Sequence, residues 1–96
     1  MEIKTDKNGS ALTVTLKGRL DTQTAPQLEK ELKLEGVASV VFDLSDLEYI
    51  SSAGLRTMLT AQKTMMAQGE MVLEHVAPVV REVFEMTGLA PFFTIR

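Results

Sequence analysis

The side chains best placed to do chemistry in this chain are two adjacent hydroxyls, Ser51 and Ser52. They sit in EYISSAGLRTM (48–58), just ahead of an apolar helical pattern. As nucleophiles they lack support. Ser52 is not in a GxSxG elbow and no triad accompanies it. The single histidine, His75, falls within a strand-like run and has no Cys partner, second His or HExxH context. The absence of cysteine excludes thiolate chemistry and disulfides. There is no GxxxxGK[ST] phosphate loop and no GxGxxG fingerprint. The chain therefore reads as no enzyme, with no cofactor or metal of its own. The serines have two remaining roles: capping a helix, or serving as the substrate of another enzyme.

A second set comprises carboxylates. Asp21 follows one strand-like run, and Asp43 and Asp46 follow another. In a strand–helix–strand unit these ends open on one edge of the sheet. Three carboxylates there could hold Mg²⁺ or accept a phosphoryl group, as in a receiver-like domain. Such a site also needs a late basic residue, and only Arg81 and Arg96 follow. Turn and capping hydrogen bonds are the simpler role for Asp43 and Asp46.

The elements that position these residues follow from periodicity. Residues 2–6 and 11–17 read as strands joined by a Lys7–Ser10 hairpin containing Asn-Gly. Leu12, Val14 and Leu16 alternate with polar residues, and Gly18–Asp21 leave the strand. Thr24 and Gln27 suggest a capping box around Pro26. The helix they open carries Ala25, Leu28 and Leu32 on one face, and Gly36 ends the unit. The apolar run Val37–Leu44 suits a parallel strand covered on both faces. A helix then extends to about Ala67, with Leu55, Met58, Leu59, Gln62 and Met65 or Met66 inward. Its methionines read as core filler. Glu70–Val76 is a strand. Pro78 opens a third helix bearing Val79 or Val80, Val83 and Phe84, with Gly88 just past its end. Phe92–Ile95 closes the chain as a strand. The order ββαβαβαβ implies an α/β domain: a mixed, mostly parallel sheet with helices packed on it.

Composition bounds the function. The chain has 96 residues, 45% of them hydrophobic, which suits one small aliphatic domain spanning 1–96. The net charge is −3, with no basic cluster to bind nucleic acid directly. No apolar run approaches the roughly 20 residues that cross a bilayer, and MEIKTDKNGS lacks the apolar core of a secretion signal. No membrane association and a cytoplasmic location are expected.

On such a sheet edge, a hydroxyl at a helix start is reachable by another protein's active site. A phosphate added there would meet free N–H groups and the positive end of the helix dipole. Its charge of about −1.5 to −2 would act outward, on a partner.

Three segments carry a family likeness. GRLDTQTAP (18–26), VVFDLSDLEYISSAGLR (40–56) and APVVREVFEMTGL (77–89) together resemble STAS domains, in particular stand-alone bacterial anti-sigma factor antagonists. The resemblance covers almost the whole chain. It implies a partner-switching cycle. The unphosphorylated antagonist binds an anti-sigma factor that is also a serine kinase, and phosphorylation releases it. A metal-dependent serine phosphatase then restores it. ATP and metal in this scheme belong to the partner enzymes. The family phosphoacceptor commonly lies in a D-S-S-G-L context, and aligning on Gly54-Leu55 places it at Ser52, with Ser51 the minority candidate. Ser51 stands where Asp is common, and Ala53 where a second Ser is common. The resemblance also implies a partner-binding surface of Asp21, Thr22, Thr24, Ser51, Ser52, Gly54 and Arg56, in which Gly54 lets the partner approach. The alternative within the same family is an interaction or scaffold module without a phosphorylation switch.

Overall fold

The computed structural model describes all of residues 1–96. The chain begins as a hairpin. β1 (Glu2–Asn8) runs antiparallel to β2 (Ala11–Leu20), with Asn8 opposite Ala11 across Gly9-Ser10. Gly9 takes φ 64°, a left-handed conformation that glycine adopts without steric cost. Then α1 (Ala25–Glu31), β3 (Ser39–Ile50), α2 (Ser52–Met66), β4 (Glu70–Glu74) and α3 (Pro78–Met86) alternate. A single 3₁₀ turn, Ala90–Phe92, leads into β5 (Thr94–Ile95). The sheet order is β1-β2-β3-β4-β5, and every pair after the hairpin is parallel. The α/β class and the ββαβαβαβ order inferred from periodicity are both present.

One cluster of 21 buried residues holds the domain together. The sheet contributes Leu12, Val14, Leu16, Val40, Phe42, Leu44, Met71 and Leu73. The helices contribute Ala25, Leu28, Leu55, Met58, Ala61, Met65, Val80 and Phe84. Each large aliphatic side chain moved fully out of water contributes about 1.5–3 kcal/mol, so this layer is the dominant stabilising term. Phe84 meets Phe93 edge-on, with ring centroids 5.1 Å apart at 82°. That contact pins α3 to the residue just before β5 and adds about 0.5–1.5 kcal/mol beyond its burial.

The second face of the sheet differs from expectation. Ser39, Val41 and Asp43 of β3 are only half-buried, and their neighbours in register include Thr13 and Thr15 of β2. β3 is thus covered by helices on one face, not two. Its apolar run reflects Val41 and Val72 packing beside each other on the far face, where Val72 is buried but outside the main cluster.

Strand lengths also differ. β2 continues through Gly18 and Arg19 to Leu20, and β3 continues through the polar segment to Ile50, so Asp43 and Asp46 lie within β3 instead of after it. The cause is visible in the pairing. Between Thr15 and Lys17 β3 advances from Asp43 to Asp46, and between Gly18 and Arg19 it advances from Leu47 to Tyr49. Each step inserts one extra residue into β3, as a β-bulge does. The buried positions Leu44, Leu47 and Ile50 consequently recur every third residue. That spacing imitates neither strand nor helix.

Smaller differences have local causes. β4 stops at Glu74; His75 lies beyond it, exposed, with φ 56°. α1 ends at Glu31, leaving Leu32 half-buried as its C-cap. On α2, Met65 is buried and Met66 exposed; on α3, Val80 is buried and Val79 exposed. Phe92 belongs to the 3₁₀ turn and projects outward.

Candidate functional site

Two turns leave the sheet side by side at the ends of β2 and β3. Leu20 is paired with Ile50, and the Ser51 N–H donates to the Leu20 carbonyl at 2.9 Å. The ladder thus sets Asp21 and Ser51 next to each other, at the entries to α1 and α2.

The first turn is a polar knot. Asp21 Oδ1 accepts from the backbone N–H of Gln23 at 3.0 Å and of Thr24 at 3.1 Å. The Thr24 hydroxyl accepts from the Asp21 N–H at 2.9 Å and lies 2.7 Å from the Arg19 carbonyl and 3.2 Å from Asp21 Oδ1. The Thr24 N–H, followed by the Gln23 N–H and the nearby Arg19 charge, holds the Asp21 carboxyl below the usual carboxylate range against an opposing desolvation. This replaces the expected capping box. Thr24 stands at the N-cap of α1 but its side chain makes no cap bond, because its hydroxyl is engaged with Asp21 and Arg19. Gln27 instead reaches the Met1 carbonyl at 3.4 Å. Thr22 is exposed beside the knot.

The second turn is closed by packing. Ser51 is the N-cap of α2, and its hydroxyl accepts from the Gly54 N–H at 3.4 Å. Ser52 is the first helical residue and is exposed. An α-helix has no internal partners for its first four N–H groups. Ser51 takes that of Gly54, which leaves those of Ser52 and Ala53 facing outward. The first turn of α2 carries no acidic residue, and Arg56 stands exposed just after it. Gly54, in contrast, is buried. A Cβ there would lie 2.7 Å from Leu20 Cγ, 2.8 Å from the Leu20 carbonyl oxygen and 3.0 Å from Ile50 Cγ1. The expectation that Gly54 opens the surface to a partner is therefore corrected: it lets α2 approach β2, and it is no part of an accessible surface. Ala53 is half-buried.

The structure brings Asp21, Thr22, Thr24, Ser51, Ser52 and Arg56 to one end of the sheet and withdraws Gly54. It does not bring the three carboxylates together. Asp43 accepts from the Ser45 N–H at 3.1 Å and contacts His75 Nδ1 at 3.2 Å, while Asp46 sits opposite Lys17. No three His, Asp or Glu side chains cluster closely enough to hold a metal ion. One feature escaped the sequence reading. Arg19 lies over the Tyr49 ring at 4.2 Å and reaches within 4.0 Å of Asp21. The pair flanks the site, and only the bulged register of β3 places the two side chains opposite each other.

The sequence profile of the STAS domain matches residues 2–96. This chain is a STAS domain. It is 42% identical over 99 residues to a Bordetella bronchiseptica protein provisionally named anti-sigma factor antagonist BtrV; the match covers 99% of this chain and 85% of that one. The STAS fold here also matches solved structures. That of the anti-sigma factor antagonist SpoIIAA in its unphosphorylated form superposes with a TM-score of 0.84 at 21% identity, covering 99% of this chain and 88% of the other. That of the Bacillus cell fate determinant SpoIIAA in the phosphorylated form gives 0.77 at 20% identity, covering 99% and 91%. At these identities the structural likeness speaks for the fold. No helix of the STAS domain is long and apolar enough to cross a membrane.

Proposed function

We propose that this STAS domain is an anti-sigma factor antagonist whose binding is switched by phosphorylation of Ser52. The observation that carries the reading is the division of labour at the start of α2. Ser51 is occupied as the cap, Gly54 is packed inside, and Ser52 alone presents a hydroxyl at the exposed first position. The likeness to BtrV supports the antagonist role. Unphosphorylated, the chain binds an anti-sigma factor with serine kinase activity through the surface around Asp21, Thr22, Thr24, Ser52 and Arg56. The kinase supplies ATP and metal. Phosphate on Ser52 is compatible with the fold, because it meets two outward N–H groups and the positive end of a 15-residue helix. Its added negative charge acts on the partner, and a serine phosphatase resets the switch. The chain itself is a substrate and a ligand, not a catalyst, and it works in the cytoplasm.

Occupation of position 51 by Ser is consistent with the switch. A Ser N-cap accepts the same backbone N–H that Asp would. Binding to the cognate kinase tests the reading. Ser52→Ala should bind like the wild type and resist release by ATP, while Ser52→Asp should bind at least about tenfold more weakly, as expected for an unpaired charge added at an interface. Equal binding by both variants would remove the electrostatic switch.

A further inference from the structure

We propose that the outer edge of β1 is an interface with a second copy of this chain, formed by antiparallel pairing of β1 with its symmetry mate about Thr5. β1 is an edge of the sheet and is seven residues long; only Ile3 among its side chains is even half-buried. One row of its backbone groups is engaged by β2. The other row faces outward, and such a row is a template for another strand. The opposite edge, β5, is two residues long and offers no comparable template.

Edge strands are often blunted by charge, so the charges decide whether this edge repels or attracts its own copy. A two-fold axis normal to the sheet keeps each face on its own side and pairs residues of like parity. Centred on Thr5, all seven residues pair: Glu2 with Asn8, Ile3 with Lys7, and Lys4 with Asp6 twice over. A slip that centres the pairing on Lys4 sets Lys4 against Lys4 and Glu2 against Asp6. A slip the other way sets Asp6 against Asp6. The register with the greatest overlap is therefore the one in which directly opposed charges attract, and its neighbours place like charges in contact. Within one chain, Lys4 and Asp6 face Thr15 and Thr13, and neither forms an ion pair. Both charges are free for the partner. The product is a continuous ten-stranded sheet with the helices of both copies on the same side. Ser52 follows β3, two strands in from this edge, and stays accessible.

Sedimentation equilibrium on the full chain tests the interface. The wild type should dimerise in a concentration-dependent way. Lys4→Asp and Asp6→Lys, each shown folded by circular dichroism, should each weaken the dimer about tenfold or more, because both contacts become repulsive. An equal mixture of the two single variants should then recover wild-type association, since opposite charges meet at both contacts of the mixed dimer. A wild type that stays monomeric at the highest concentration reached would overturn the proposal. So would single variants that associate as tightly as the wild type, or a mixture no tighter than its components.

Discussion

The two turns at the end of the sheet that carries Ser52 leave it from neighbouring strands, yet they are built by opposite means. The Asp21–Thr24 turn is a closed set of polar contacts in which a carboxylate, a hydroxyl and three backbone N–H groups satisfy one another. The Ser51–Gly54 turn has one long side-chain bond and is held by a glycine pressed against Leu20 and Ile50. A turn that spends its hydroxyl on its own backbone leaves none free to be modified. A turn held by packing can leave a hydroxyl free. Ser52 is free because Gly54 holds the turn.

That contrast can be broken most severely at Gly54. Gly54→Ala should destabilise the domain by about 2 kcal/mol, because backbone and two core side chains crowd the new methyl group, and a thermal melt should fall by about 10 °C. An unchanged melt would mean that packing does not hold this turn.

The polar turn should respond to acid instead. Asp21 has a lowered pKa in the fold, so its contribution is present above the carboxylate's ordinary value and disappears as pH falls through that value toward the folded one. Asp21→Asn should melt below the wild type at neutral pH, and the gap should narrow below about pH 4. A pH-independent gap would assign the effect to shape, not charge.

Smaller effects separate the two serines. Ser51→Ala removes the cap and should cost about 0.5–1 kcal/mol, at the low end for such losses because the bond is long. Ser51→Asp should retain the cap and gain from the helix dipole. Ser52→Ala should change stability by less than about 0.5 kcal/mol, as an exposed site without a bond does. If the order of the two alanine variants were reversed, Ser52 would be the structural residue.

Much of this arrangement was legible in the chain. Leu12, Val14 and Leu16 marked β2, and Pro78 and Gly88 bracketed α3, because local periodicity and backbone preference act there without competition. Leu55 and Met58 turned inward as helical spacing required. The strand ends were not legible. Ser45, Asp46 and Glu48 look like a loop, yet they are the exposed residues of a twice-bulged strand, and a bulge depends on the partner strand. Gly54 misled for a related reason. Whether a missing side chain serves a partner or the core depends on what lies opposite it, and Leu20 is 34 residues away in sequence. Thr24 looked like a cap because spacing shows which bonds are possible, not that Asp21 and Arg19 claim the hydroxyl first.

The proposed switch is Ser52, not Ser51. It is tested by site mapping by mass spectrometry after incubation of the folded domain with ATP and the anti-sigma kinase it is proposed to bind. One phosphate is expected, on Ser52, and none on the Ser52→Ala variant although Ser51 is intact. Phosphate on Ser51, or none on the wild type, would contradict it.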